Sequence, residues 1–215
     1  MTRLLAWLLL LALPLTACAQ APAGPPRVGL DYEVLEGGQR WQQAPDGKIE
    51  VVEVFAYTCP HCADFQPMVD AWKKTKPADV NFVYLPAAFD PEDAYARAYF
   101  AADLAKAVPK IHQPLFDAIH EQGALPRSNA SIDELGTWFG QRGLNRAKMV
   151  ASMRSKDVDA RMARARAFAV ANRVGSTPTL IVNGKYIVRA RRLEDRWRVV
   201  DGLIAMERAA AKKTP

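Results

Sequence analysis

The chain has 215 residues, room for one large domain or for one domain carrying an insertion. Half of its residues are hydrophobic and 24% are charged, which excludes a collagen-like, repetitive or wholly disordered chain. The net charge of +6 is mild and spread along the sequence, so it argues for solubility and against a nucleic-acid partner.

The first segment reads as a leader. Arg3 gives a positive start, Leu4 to Leu15 give a short apolar core, and small residues follow. A spanning helix needs about 20 apolar residues, so the stretch fits a secretory signal peptide over 1–18 better than a retained membrane anchor. Its end reads in two ways. Leu15-Thr16-Ala17-Cys18 resembles the bacterial lipobox, whose cysteine is lipid-modified and becomes the new first residue, while Ala17-Cys18-Ala19 has the A-x-A form of ordinary cleavage. The lipobox is preferred because a cysteine is unusual at this spot in a chain with three, and it predicts a lipid anchor on Cys18. Stable anchoring needs more than one acyl chain, which that modification supplies. Residues 19–28, rich in Ala and Pro, are expected to form an extended spacer.

Ile49 to Phe55 is a β-branched apolar run broken by one carboxylate, Glu53, and reads as a buried strand ending at Ala56-Tyr57-Thr58. Cys59-Pro60-His61-Cys62 follows at once, then Phe65, Met68, Val69 and Trp72 at helical spacing. Pro60 suits a first helical turn, where its missing N–H costs nothing. Val80 to Leu85 reads as a second strand, ended by Pro86. From Asp90 to about Arg173 the pattern is helical, with breaks expected near Pro109, Pro114, Pro126 and Gly143. Ser131 to Glu134 has the form of a capping box. Thr179 to Val182 and Lys185 to Val188 read as strands joined by the two-residue turn Asn183-Gly184. An amphipathic helix is expected from about Leu193 to Ala211. The order implies an α/β domain over 29–88 and 175–215, interrupted by a helical insertion over 89–174.

The cysteines carry the chemistry. Cys18 belongs to the leader or its lipid, leaving Cys59 and Cys62, whose loop is too small to be an obvious structural staple. A lone C-x-x-C in an exported protein points to redox work. Cys59 sits at a helix N-terminus, where unsatisfied N–H groups and the helix dipole favour a thiolate, so it is the expected attacking sulfur. Cys62, a turn deeper, is the expected resolving sulfur. His61 between them offers positive charge or a hydrogen bond to the Cys59 sulfur; the bland alternative is an uninvolved surface residue. Half of a zinc site is the alternative for the pair itself, but a tetrahedral site needs two more ligands, and His112 and His120 sit singly in the helical block. The arginines 161, 164, 166 and 173 read as a solvated helix face, with weak attraction to anionic lipid as the alternative. Met68 and nearby aromatics suit either a peptide groove or core packing.

Cys59-Pro60-His61-Cys62 is the active-site tetrad of the DsbA family, periplasmic oxidants that introduce disulfides into newly exported proteins. The flanking Val-Glu-Val-Phe-Ala-Tyr-Thr and the later Gly175-Ser176-Thr177-Pro178-Thr179 and Val182-Asn183-Gly184-Lys185-Tyr186 resemble that family in the same order. The resemblance covers nearly the whole mature chain and implies a thioredoxin-like fold with an all-helical insertion. It gives Pro178 the role of the cis-proline beside the cysteine pair, leaving the Thr177 backbone free to pair with an extended substrate. It gives Glu53 the role of a buried carboxylate exchanging a proton with Cys62; a strand-end residue facing water is the bland reading. It implies cysteine-containing exported proteins as substrates, reoxidation by a DsbB-type membrane quinone reductase, and no metal or organic cofactor. Thr177 departs from the best-known oxidants, in which an apolar residue precedes the cis-proline; threonine there is found in isomerases and reductants. Isomerases of that kind carry a separate dimerisation domain, for which this chain has no room. A reductant or isomerase of the same fold is therefore one rival reading, and a binding module with a passive disulfide is another.

Overall fold

The computed structural model describes residues 24–42 and 47–212. The expected leader over 1–18, with Cys18, lies outside the described residues. Of the expected spacer, Pro26 already lies against Gly202, where an added Cβ would stand 2.4 Å from the proline ring, so contact with the domain begins there.

The elements run β1 (Tyr32–Val34), β2 (Ile49–Phe55), α1 (Pro60–Thr75), β3 (Val80–Pro86), five helices, β4 (Thr179–Val182), β5 (Tyr186–Val188) and α7 (Leu193–Ala211). The five helices are α2 (Ala94–Leu104), α3 (Val108–His120), α4 (Ile132–Gln141), α5 (Arg146–Met153) and α6 (Lys156–Ala171). The sheet order is β1-β5-β4-β2-β3; β2 and β3 pair in parallel, with α1 as their crossover, and the other neighbouring strands of the described residues pair antiparallel. β2 lies between β4 and β3, and all seven of its residues are buried, which is why its sequence is a continuous apolar run.

The period of two along β2 divides the core. Val51, with Leu180 and Val182, packs against Phe65, Val69 and Trp72 of α1 and Val199, Val200 and Leu203 of α7. Val52 and Val54, with Ile181, join the larger cluster built from α2 to α6. Glu53 shares the parity of Val51 and is 1% exposed, so the chain places a carboxylate inside the core under α1. The hairpin between β4 and β5 turns at Asn183 and Gly184, with φ of 52° and 64°, as a two-residue turn of this hand requires.

The expected break near Pro109 falls between α2 and α3, with Pro109 in the first turn of α3, where it needs no N–H. Two expectations are corrected. Pro114 lies inside α3 without ending it. The flanking Ile111, His112, Leu115 and Phe116 are all buried, and their packing outweighs one missing hydrogen bond. β1 is an additional strand; three residues long, it pairs antiparallel with β5 and fits no periodicity window. Of the basic cluster, Arg161 pairs with Asp103 at 2.7 Å, and Arg164 stacks 3.9 Å above the Trp41 ring.

α4 opens with the expected capping box: the Ser131 hydroxyl accepts from the Glu134 N–H, and the Glu134 carboxylate accepts from the Ser131 N–H. Ser131→Ala should lower stability by about 1 kcal/mol in urea denaturation without altering the redox centre. An unchanged midpoint would show that α4 is held by packing alone.

Candidate active site

β2 runs straight into α1, and the junction delivers the cysteine pair. Cys59 is the N-cap of α1, extended at φ −83° and ψ 116°, and Pro60 occupies the first turn. Helix N–H groups therefore converge on the Cys59 sulfur. Cys59 is half-buried and Cys62 fully buried, and both are free thiols.

The environments of the two sulfurs drive their acidities apart. Hydrogen bonding from the Cys62 thiol is the largest influence on Cys59, and it outweighs partial burial. With the Thr177 side chain and the backbone N–H groups of Cys62 and His61, it brings the Cys59 thiol down from 9.0 to about 5. Burial, the Cys59 sulfur and the Glu53 carboxylate push the Cys62 thiol far above the ordinary range. In the dithiol, the Cys59 S–H donates to the Thr177 carbonyl at 3.4 Å, a bond that ionisation removes. The Thr177-Pro178 bond is cis, with Pro178 buried and Thr177 partly exposed. Pro60 and His61 are exposed, and the His61 backbone N–H is among the groups that lower the Cys59 thiol.

Glu53 lies beneath the pair. Desolvation raises its pKa to about 8, against the opposing fields of Arg196 and Lys73. Its Oε2 is buried without a hydrogen-bond partner. Such a group holds a proton at neutral pH and can release it nearby.

Several site residues carry no signal in the sequence. The Tyr57 hydroxyl donates to His112 Nδ1 at 2.8 Å, and His112 Nε2 donates to Gln66 at 3.2 Å. Burial pulls His112 down to about 3, so the ring is neutral and these roles are fixed. Gln66 donates to the Tyr84 hydroxyl at 2.8 Å, which Lys73 also reaches at 3.3 Å. His120 donates to the Tyr57 carbonyl at 2.7 Å. Both histidines of α3 thus hold the residue two places before Cys59. Arg196, from the start of α7, donates to the Pro178 carbonyl at 2.6 Å. Two open grooves flank the pair, one of about 350 Å³ bordered by Thr58, Phe89 and Tyr95, the other of about 230 Å³ bordered by Pro60, Asp64 and His120. Met68 packs partly buried against the core shared by α1 and α7.

A sheet handing a low-pKa cysteine to a helix N-terminus, with a cis-proline alongside, defines a thiol:disulfide oxidoreductase of thioredoxin-like fold. A thioredoxin family model matches residues 36–202. The thiol:disulfide interchange protein DsbA of Pseudomonas aeruginosa is 36% identical over 171 residues, covering 78% of this chain and 80% of that protein. The Pseudomonas syringae DsbA is 35% identical over 191 residues, covering 84% and 88%. Among solved structures, the oxidoreductase DsbA from Xylella fastidiosa superposes with a TM-score of 0.83 at 41% identity, covering 86% of this chain and all of that one. Pseudomonas aeruginosa DsbA gives 0.78 at 33% identity, covering 86% and 96%. The chain belongs to the DsbA family.

Proposed function

We propose that the protein is an exported dithiol oxidant acting in the periplasm, its leader removed up to Cys18 and a lipid on that cysteine, the new first residue, tethering it to a membrane. The thioredoxin-like domain comprises 29–88 and 175–215, with the helical insertion over 89–174. The observation that carries the oxidant reading is the asymmetry of the pair: a thiolate stabilised at Cys59 makes the reduced form favourable, so the disulfide is a strong electron acceptor.

In each cycle a substrate thiolate attacks the Cys59 sulfur of the Cys59–Cys62 disulfide, and Cys62 leaves as a thiolate that takes the proton held by Glu53. A second substrate thiolate then attacks the substrate sulfur of the mixed disulfide, and Cys59 leaves as its stabilised thiolate. The substrate dithiol becomes a disulfide and the protein becomes a dithiol. The Thr177 backbone pairs with the extended substrate, Pro178 shapes that loop, and Pro60 and His61 set the helix terminus at Cys59. A DsbB-type membrane quinone reductase restores the disulfide.

Equilibration with glutathione tests this. A potential above about −180 mV is expected, and Cys59 alkylation should titrate with a midpoint near pH 5. A potential near −270 mV would make the protein a reductant, the outcome that Thr177 favours.

A further inference from the structure

α7 places a cation where its own helix disfavours one. Arg196 stands just past the first turn, behind Glu194 and Asp195, at the end of the helix that carries a partial positive charge. Its guanidinium turns inward. Nη1 donates to the Pro178 carbonyl at 2.6 Å, and Cζ lies 5.7 Å from the centroid of the Phe65 ring on α1. Its Nε is buried with no hydrogen-bond partner, as is Oε2 of Glu53, so a spare donor and a spare acceptor lie in the buried region around the pair. The adjacent peptide carries the carbonyl that the Cys59 thiol touches, so Arg196 holds the cis-proline loop one residue from the sulfur.

We infer that Arg196 is a positioning residue for the disulfide centre: it clamps the Pro178 carbonyl, and its partly buried positive charge favours the dithiol state over the disulfide. The inference rests on Cys59–Cys62 exchange being the chemistry. The charge balance supports it. Burial pulls the Arg196 pKa down, while Cys62, Glu53 and Cys59 pull it back up, so the guanidinium stabilises negative charge on each of them. Among the cations, Arg196 has the largest effect on Glu53, ahead of Lys73. The disulfide carries no charge to stabilise, whereas the reduced pair carries a thiolate, so removing the cation penalises the reduced form alone.

The test is the glutathione equilibrium constant of the parent, Arg196→Gln and Arg196→Lys, with the pH profile of Cys59 alkylation for each. Arg196→Gln should lower the equilibrium constant about tenfold, a shift of about 30 mV toward reducing potentials, and move the alkylation midpoint upward. Arg196→Lys, which keeps the charge but loses the planar fork, should stay within about threefold of the parent. Arg196→Met keeps the stem against Phe65; it carries the same expectation as Gln and replaces it if Gln fails to fold. Folded neutral variants within twofold of the parent in both readouts would overturn the inference. A parent that does not equilibrate with glutathione at all would instead overturn the proposed chemistry.

Discussion

Cys59→Ser reduces thiol–disulfide exchange to the uncatalysed rate, while Cys62→Ser accumulates mixed disulfides at Cys59. The two outcomes differ because the sulfurs have been given different tasks. At pH 7 a thiol with a pKa of about 5 is almost wholly ionised, roughly thirtyfold more than a free cysteine near 8.5. A serine hydroxyl has no comparable ionisation and forms no disulfide. In Cys62→Ser the reactive thiolate survives, but nothing within reach displaces the partner from Cys59. Mass spectrometry of protein incubated with oxidised glutathione separates the cases: an adduct persists on Cys62→Ser and is absent from Cys59→Ser. An exchange rate in Cys59→Ser equal to that of the parent would establish a passive disulfide and remove the redox reading altogether.

The second large effect concerns stability and comes from Glu53. Its pKa is about 8 in the folded protein and near 4.3 in an unfolded chain. Between those values the folded state holds a proton that the unfolded state has released, so stability falls as pH rises through the window. The slope is about 1.4 kcal/mol per pH unit, amounting to about 3 kcal/mol by pH 7. Glu53→Gln has no such titration. Its stability advantage over the parent should therefore grow by about 3 kcal/mol between pH 4.5 and pH 7, and level off above pH 8. Urea denaturation of both proteins across that range measures it. Parallel stability curves would mean that Glu53 is solvated in the folded protein and ionises normally. The parent tolerates this cost at a position where leucine or valine would pack, which accords with a proton-handling role for the carboxylate.

The redox centre was legible in the sequence because its parts lie close together along the chain. β2, the cysteine pair and the opening of α1 are consecutive, and a run of β-branched residues leading to C-x-x-C, with a proline directly after its first cysteine, states its own geometry. The hairpin turn was equally local. Residues that act across the fold left no such trace. Arg196 stands in a helix with two other arginines, Arg198 and Arg208, and nothing in the sequence around it separates it from them. Its meaning depends on Pro178, 18 residues away, and on Phe65, from another helix. His112 and His120 are isolated in the helical block, yet each contacts Tyr57, 55 and 63 residues back in the chain. β1 was invisible for the same reason, since its hydrogen bonds go to a strand more than 150 residues later.

The two histidine contacts make the helical block part of the reaction centre's foundation. Tyr57 is gripped at both its hydroxyl and its carbonyl by one helix, and its ring packs against Phe55 and Phe116 at centroid distances of 5.0 and 4.9 Å. A shortened protein made by joining the end of β3 to Thr177, just ahead of β4, would keep both cysteines, the cis-proline and the whole sheet. It would also lose both anchors of the segment that aims Cys59, and leave a buried phenol facing water. Miniaturising this oxidoreductase therefore means redesigning the approach to Cys59, because the added helices carry part of the load that its aim depends on.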